Sequence, residues 1–410
     1  MNKDMIQDIF QYSGPPDINL VNGELTEVKR RSVNRLAVHF ASKNANGNGQ
    51  PVYTAAKARD IARKWAEENI SGFCLSTGLP EVDDRYEAWR VALVSKESRV
   101  VGELMIRCSD GEVVQATKTE VILSRLAPEE NQSSQFILQT EPIYTHIGDS
   151  VVVCGDGRIV LSSLPVEVFG LVITSPPYYN AKPQYSEYSD YEEYLSLLKQ
   201  VFRQCHRTLK EGRFLIVNAS PVLVRRPSRN KSSRRIPVPF HINNILEEIG
   251  FEFLDDIVWA KPAGAGWNTG RGRRFAADRH PLQYKPVPVT EYFLVYRKKT
   301  EKLIDWNIRH HPDQEAVKQS KIEHSYEVTN LWYEKPSHHP QHPATFPVQI
   351  IDKLIKYYSF KGDIVLDPFA GIGTVGRAAI NNGRLFYLID IEPNYCQTAV
   401  QELSRWHQQI

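Results

Sequence analysis

From Tyr144 to the C-terminus, short apolar runs alternate with longer amphipathic segments, and this alternation constrains the fold more than any other feature. Runs such as Leu171–Thr174 and Phe214–Asn218 have the length and composition of strands. The segment Asp190–Leu209 has the apolar spacing of a helix, with Asp190 as its N-cap. Because strands that alternate with helices form mostly parallel sheets, we predict an α/β fold with helices on both faces of such a sheet over residues 139–410.

The remaining elements of this region follow from the same two patterns. Further strands are predicted at Val151–Val153, Asp256–Ala260, Thr290–Tyr296, Ile364–Leu366 and Leu385–Ile389, and further helices at Phe240–Ile249, Pro347–Tyr358, Thr374–Asn382 and Tyr395–Trp406.

Residues 1–138 have a different pattern and are predicted to form a small α+β domain of their own, of unknown role. An amphipathic helix is expected over Thr54–Asn69 with Thr54 as its N-cap. Strands are expected at Ala88–Leu93 and Val100–Arg107, and the turn Ser109–Glu112 joins the second strand to Val113–Ala116 as a hairpin. The polar stretch Pro128–Ser134 is typical of an interdomain linker.

Composition excludes several classes of protein. No apolar stretch approaches the roughly 20 residues that cross a bilayer, and the N-terminus has no signal-peptide core, so no membrane partner is expected. The 5 cysteines are scattered without paired spacing, which indicates reduced thiols, a cytoplasmic location and no zinc site. His310, His311, His338, His339 and His342 match no metal template either. The net charge of +2 is too small to indicate a partner.

Two strands lead into loops that suggest a function. The first strand, Gly170–Thr174, leads into Ser175-Pro176-Pro177-Tyr178. Two prolines fix the backbone, so the loop is stiff and its carbonyls have fixed directions. The Ser175 side chain and the Pro176 carbonyl can accept both hydrogens of an exocyclic amine, and Tyr178 can stack on the ring that bears it. A diproline also occurs in ordinary turns, so this loop alone does not define a site.

The second informative strand, Asp363–Asp367, leads into the glycine-rich loop Pro368–Thr374. Glycine lets such a loop turn tightly and lets a ligand approach its backbone. The next strand ends in Asp390, near the spacing at which an acidic side chain reaches ribose hydroxyls, although Asp390 could instead cap the following helix. Since ligands of open α/β sheets sit at the carboxyl ends of strands, we predict that both loops meet at one cleft beside a nucleoside-containing cofactor.

With both loops, the chain resembles the S-adenosylmethionine-dependent amino-methyltransferases of DNA. In that family [DNS]-P-P-[YFW] is the catalytic loop and D-P-F-x-G-x-G-T the cofactor loop. Further similarities are Gly148-Asp149 before the catalytic strand, Ile257–Pro262 as I-x-W-x-K-P, His342–Pro347 as H-P-A-x-x-P, and Asp390–Tyr395 as the ribose turn. The resemblance covers roughly residues 144–407 and implies a Rossmann-like sheet.

The resemblance assigns roles residue by residue. Ser175, Pro176, Pro177 and Tyr178 would be catalytic, acting on a base flipped out of the duplex. S-adenosyl-L-methionine would be the cofactor, with Phe369 packed on it and Asp390 on its ribose. The full set of expected cofactor residues is Asp149, Thr345, Phe346, Asp367, Pro368, Phe369, Gly371, Gly373, Thr374 and Asp390.

The order of the motifs is informative in this family. The catalytic loop precedes the cofactor loop, which is the permuted order of the β class, and residues 263–337 would then be an inserted target-recognition region. Two basic segments, one at Arg225 and Arg226 and the other at Arg271–Arg274, could contact double-stranded DNA or be solvated loops. Their expected DNA-binding residues are Arg225, Arg226, Arg271, Arg273 and Arg274.

Serine at the first position of the catalytic loop resembles the cytosine-N4 subgroup, since many adenine enzymes of the family carry aspartate there. The resemblance therefore implies methylation of cytosine N4 in duplex DNA, within a type II restriction-modification system that has a cognate endonuclease. Two alternatives are an adenine-N6 methyltransferase and a catalytically silent DNA-binding or assembly subunit. The sequence leaves the recognition site open, as well as the choice between monomer and dimer.

Overall fold

The computed structural model describes residues 54–83, 88–96, 99–126, 141–179, 191–224, 234–262, 279–282, 284, 286, 288–322, 326–337 and 347–409. Among these residues, no helix combines the length and the apolar character that a bilayer crossing requires.

The N-terminal part forms a small sheet covered by two helices. Helix α1 (Ala55–Asn69) begins at Thr54, whose side chain accepts a hydrogen bond from the Lys57 amide, as the sequence predicts. The 5-stranded antiparallel sheet contains the expected hairpin, and helix α2 follows it. Its strands are β1 (Ser76–Thr77), β2 (Glu81–Asp83), β3 (Ala88–Val94), β4 (Val100–Arg107) and β5 (Val113–Ala116), and α2 spans Thr119–Leu126. This unit has its own apolar core, which includes Ala58, Ala62, Val91, Leu104 and Ile122.

A 9-stranded sheet organises the rest of the described chain, in the order β14-β12-β13-β9-β8-β15-β16-β7-β6. Its strands are β6 (Ile143–Ile147), β7 (Ser150–Cys154), β8 (Phe169–Thr174), β9 (Leu209–Ala219), β12 (Phe251–Ala260), β13 (Thr290–Lys298), β14 (Leu331–Tyr333), β15 (Ile364–Asp367) and β16 (Leu385–Asp390). A separate two-stranded hairpin consists of β10 (Val222–Val224) and β11 (Arg234–Ile236).

The centre of the large sheet is parallel. Strands β9, β8, β15, β16 and β7 are parallel neighbours, whereas β6 and β13 are antiparallel to the strands beside them. Every residue of β8 is buried, and successive residues of this strand enter different cores, Leu171 one and Val172 the other. Such burial on both faces explains why the central strands are continuously apolar.

Helices cover both faces of this sheet. Helices α3 (Gly157–Ser162), α4 (Tyr191–Thr208) and α5 (Val238–Ile249) contribute to one core. Helices α8 (Val348–Tyr358), α9 (Thr374–Asn381) and α10 (Pro393–His407) contribute to the other. Two short helices, α6 (Trp306–Arg309) and α7 (Gln314–Gln319), lie between β13 and β14 in the chain. The predicted α/β, Rossmann-like, mostly parallel fold is therefore confirmed.

Candidate active site

The catalytic loop and the glycine-rich loop leave the same end of the sheet. Strands β8 and β15 are parallel neighbours, with Leu171 paired to Val365, so Ser175 and Pro368 both follow carboxyl ends. The Thr174 hydroxyl donates a hydrogen bond of 2.7 Å to Oδ1 of Asp367, and the Phe369 amide donates to the same oxygen at 3.1 Å. Asp367 therefore ties the last residue of one strand to the loop that follows the other.

The glycine-rich loop is held against the end of the next strand, β16. Gly371 and Gly373 have left-handed backbone angles, with φ of +53° and +86°. The Gly371 amide donates to Oδ2 of Asp390 at 2.7 Å, and the Ala370 amide donates to the Ile389 carbonyl at 2.9 Å. A Cβ on Gly373 would lie 3.0 Å from a methyl carbon of Leu403, so both the backbone angle and the packing favour glycine.

Asp390 lies between the glycine-rich loop and the start of helix α10. Its Oδ1 accepts the Glu392 amide at 2.9 Å, while Glu392 itself is the N-cap of α10. Asp390 therefore organises the turn before the helix without being its cap. A carboxylate has about four acceptor positions, so Asp390 can hold this loop and also accept a ligand hydroxyl.

Asp367 is almost fully buried, with 1% exposure. Burial raises the pKa of its carboxyl group to about 7, and the nearby Asp390 carboxylate adds to this increase. The hydrogen bonds from Thr174 and Phe369 act in the opposite direction and do not outweigh the loss of solvation.

Asn218 and Glu291 hold the catalytic loop from the neighbouring strands β9 and β13. Oδ1 of Asn218 accepts a hydrogen bond from the Ser175 hydroxyl at 3.2 Å and lies 3.1 Å from the Tyr178 hydroxyl oxygen. The Tyr178 hydroxyl also lies 2.9 Å from Oε2 of Glu291, which pairs with Lys261. Ser175 is half-buried and Pro176 is buried.

The sequence did not identify three of these residues as members of the site, namely Asn218, Glu291 and Lys261. Asn218 is the polar residue near the carboxyl end of an apolar strand, and that position could have identified it. Glu291 could not be found in this way because it lies at the start of a strand, and only the antiparallel direction of β13 brings it to this edge. Lys261 was within the I-x-W-x-K-P similarity but was given no role.

Two Gly-Asp pairs flank β7, Gly148-Asp149 before it and Gly155-Asp156 after it, and the second pair lies at the site. Gly148 and Asp149 form the turn of the β6–β7 hairpin, and a Cβ on Gly148 would lie 3.1 Å from His407 at the far end of α10. Asp149 therefore lies at the opposite end of the sheet from Ser175. Gly155 and Asp156 instead follow the carboxyl end of β7, and the Gly155 amide donates to the Asp390 carbonyl at 2.9 Å. Asp156 caps helix α3.

The predicted residues Thr345, Phe346, Arg225, Arg226, Arg271, Arg273 and Arg274 lie outside the described residues, as do His338, His339 and His342. His310 and His311 lie between α6 and α7. The His310 ring stacks on Trp306, and Nδ1 of His311 is within hydrogen-bond distance of the Asp313 carbonyl oxygen.

Residues on either side of the two basic segments lie near the catalytic edge. The first segment lies between β10 and β11 in the sequence, and β10 follows the carboxyl end of β9. The second lies between Lys261 and Thr290, and Lys261 pairs with Glu291 beside Tyr178. Arg235 donates a hydrogen bond of 3.3 Å to the Pro286 carbonyl and so connects the chain that follows each segment. Within the predicted target-recognition region 263–337, β13 is an internal strand of the large sheet.

Comparison with known proteins agrees with this architecture. A family model described as DNA methylase, N6_N4_Mtase, matches residues 169–401. The type II methyltransferase M.BglII of Bacillus subtilis is 29% identical over 257 residues, which are 61% of this chain and 68% of the relative. The type II beta methyltransferase M.BslI of a Bacillus species is 26% identical over 61% of this chain, which spans only 26% of that longer relative.

A solved structure is similar over the same part of the chain. It is a Thermus thermophilus protein, assigned as a DNA modification methylase and complexed with S-adenosyl-L-methionine, with 29% identity and a TM-score of 0.50. The similarity covers 63% of this chain and 94% of that one. Since the family model covers more than half of the sequence, including both loops, the chain belongs to the N6_N4 family of DNA methylases.

Proposed function

We propose that this DNA methyltransferase transfers the methyl group of S-adenosyl-L-methionine to the exocyclic N4 amine of cytosine in duplex DNA. The observation that carries this proposal is the placement of Ser175-Pro-Pro-Tyr178 and the glycine-rich loop at the same end of adjacent parallel strands. A methyl donor on one loop and an amine on the other can then meet without a large movement of the backbone.

The residues at this edge fit S-adenosyl-L-methionine. Gly371 and Gly373 have the backbone angles of a tight loop, and a Cβ on Gly157 would lie 3.4 Å from the Pro368 carbonyl, so backbone closely surrounds this edge. The carboxylates of Asp390 and Asp156, at the ends of β16 and β7, suit the ribose hydroxyls. We propose that Phe369 packs on the cofactor and that Pro368, Thr374, Thr345 and Phe346 contribute to the same pocket.

The catalytic loop would act by positioning and by accepting hydrogen bonds. When bound, the cofactor would supply an electrophilic sulfonium methyl group to the amine nitrogen. Ser175 and the Pro176 carbonyl accept the amine hydrogens, which directs the lone pair toward the methyl. Pro177 keeps the loop rigid, Tyr178 stacks on the flipped base, and the surplus amine proton leaves to water.

The choice of cytosine N4 rests on Ser175. A serine hydroxyl is neutral, whereas the aspartate of many adenine enzymes is charged, and the family resemblance associates serine with the cytosine-N4 subgroup. The motif order supports a β-class enzyme, in agreement with the name of the relative M.BslI. Since M.BglII and M.BslI are both named type II methyltransferases, we propose that this enzyme protects DNA from a cognate restriction endonuclease.

Identification of the methylated nucleoside tests the proposal. Unmethylated duplex DNA is incubated with the enzyme and S-adenosyl-L-methionine, digested to nucleosides and analysed by liquid chromatography with mass spectrometry. We expect N4-methyl-2′-deoxycytidine, and the Ser175→Ala variant is the background control. N6-methyl-2′-deoxyadenosine as the main product would replace the cytosine assignment with the adenine one. Single-molecule sequencing of DNA from cells that express the enzyme would then identify the recognition site.

A further inference from the structure

Asn218 has only one orientation that satisfies its surroundings. Its side chain is buried, with 2% exposure, and its Nδ2 lies 3.2 Å from the Tyr292 carbonyl oxygen. A carbonyl oxygen can only accept a hydrogen bond, so the amide NH₂ must face Tyr292. The amide oxygen Oδ1 therefore faces the hydroxyls of Ser175 and Tyr178.

This orientation determines the direction of the Ser175 hydroxyl. A serine hydroxyl has one proton and two lone pairs, and an amide oxygen has no proton to give. In the Ser175–Asn218 hydrogen bond, the serine must be the donor. Its proton is then directed at Asn218, and its lone pairs are left for other donors.

An exocyclic amine requires this state of the serine. If the Ser175 proton pointed to the amine nitrogen, it would bind the lone pair that has to attack the methyl group. We propose that Asn218 is a positioning residue that keeps the Ser175 hydroxyl as an acceptor for the N–H of the target amine. This inference rests on the proposed function, because it assumes an amine that donates to Ser175.

Glu291 provides the Tyr178 hydroxyl with an acceptor other than Asn218. The Tyr178 hydroxyl has one proton, and Oε2 of Glu291 is closer to it, at 2.9 Å, than Oδ1 of Asn218, at 3.1 Å. Charged acceptors form the stronger hydrogen bonds, and Glu291 is held in place by Lys261. The Tyr178 proton is therefore drawn to Glu291, and the Asn218 oxygen is left to accept mainly from Ser175.

A double-mutant cycle tests the role of Asn218. The rate of methyl transfer in a single turnover is measured for the full-length wild type, Asn218→Ala, Ser175→Ala and the double variant. We expect Asn218→Ala to reduce the rate by up to about 100-fold, while its affinity for S-adenosyl-L-methionine, measured by calorimetry, stays unchanged. In the Ser175→Ala background, the same substitution should have almost no further effect, because the hydroxyl that it orients is absent.

Two results would overturn the inference. One is an equal reduction by Asn218→Ala in both backgrounds, and the other is a parallel loss of cofactor affinity. Asn382→Ala, a buried asparagine of the α9 C-terminus that bonds Asp352 and the Ala378 carbonyl, is the matched control and should keep the wild-type rate. If Asn218→Ala does not fold, the nearly isosteric Asn218→Leu replaces it in the cycle. The identity of the methylated base tests the proposed function, whereas the ratios of rates test Asn218 for either base.

Discussion

Asp367 combines deep burial with a raised pKa, and this has a consequence for stability. Its carboxyl has a pKa of about 7 in the folded chain against 3.8 for an unperturbed aspartate. The folded state therefore holds a proton that the unfolded state loses, so the free energy of unfolding should fall as the pH rises from about 4 to about 7. We expect Asp367→Asn, which keeps the acceptor oxygen, to be more stable than the wild type at pH 8 by on the order of 3 kcal/mol.

Urea unfolding at pH 4.5 and pH 8 measures this difference. The gap between Asp367→Asn and the wild type should shrink at the lower pH, because the wild-type carboxyl is then protonated in the folded state. Asp305→Asn, at an exposed position that pairs with Arg309, is the control and should change the free energy of unfolding by less than about 0.5 kcal/mol. A pH-independent gap for Asp367→Asn would contradict the expected titration.

Ser175 gives a second prediction that separates chemistry from cofactor binding. Ser175→Ala removes a proposed acceptor of the target amine, so we expect turnover to fall by about 100-fold to 1,000-fold. Cofactor affinity should not change, because the glycine-rich loop is held by Asp390 and not by Ser175. Turnover and calorimetric affinity are measured together, with the exposed Ser196→Ala as control. Equal loss of both quantities would contradict the proposed role.

Site residues could be predicted where they directly follow an apolar strand. They could not be predicted where the direction of a neighbouring strand decides which end of the sheet a residue reaches. The two loops were found because apolar strands lead into them, but their hydrogen-bond partners come from other strands. Asp149 was assigned to the cofactor site and Asp156 was not considered, because the edge strand β6, whose pattern is mostly exposed, was not predicted. Without β6, the turn at Gly148 could not be recognised as the hairpin that places Asp149 at the wrong end of the sheet.

Strand β8 is fixed at its amino end by the close approach of Gly170 to Asp363. A Cβ on Gly170 would lie 2.4 Å from Cγ of Asp363, whose carboxylate is buried and pairs with Arg213. Asp363 cannot move away from the added methyl group without breaking its buried ion pair with Arg213. We therefore expect Gly170→Ala to reduce the free energy of unfolding by about 3 kcal/mol. Gly362→Ala is the control, because no atom would lie within 4 Å of its Cβ and only its φ of +80° is strained, at a cost of about 1 kcal/mol.

Calorimetric melting of the two glycine variants decides the prediction, and equal shifts of the melting temperature would contradict it.

The elements themselves were largely predictable, since helix α4 was expected at Asp190–Leu209 and observed at Tyr191–Thr208. Strand order was not predictable, because the neighbours β8 and β15 are far apart in the sequence and the residues of an apolar strand do not specify which strand lies beside it.

The large sheet has two chemically different ends, and DNA binding should depend on only one of them. The flanking residues of both basic segments lie at the end that carries Ser175, and the hydrogen bond between Arg235 and Pro286 connects them. We propose that Arg225, Arg226, Arg271, Arg273 and Arg274 contact the phosphates of duplex DNA there. Replacing Arg271, Arg273 and Arg274 by alanine should weaken binding and reduce the slope of log Kobs against log salt by up to about 3, since each phosphate contact contributes about 0.9.

Three basic residues at the opposite end provide a control of equal charge. Lys356, Lys361 and Arg405 are exposed near the amino ends of the strands, where helices α8 and α10 end. Their replacement by alanine lowers the net charge by the same amount, so a general electrostatic effect would change both triple variants alike. Fluorescence anisotropy with a labelled duplex at several salt concentrations gives the slopes. A slope that falls only in the Arg271, Arg273 and Arg274 variant would locate the DNA at the catalytic end, and an equal fall in both variants would exclude a specific interface there.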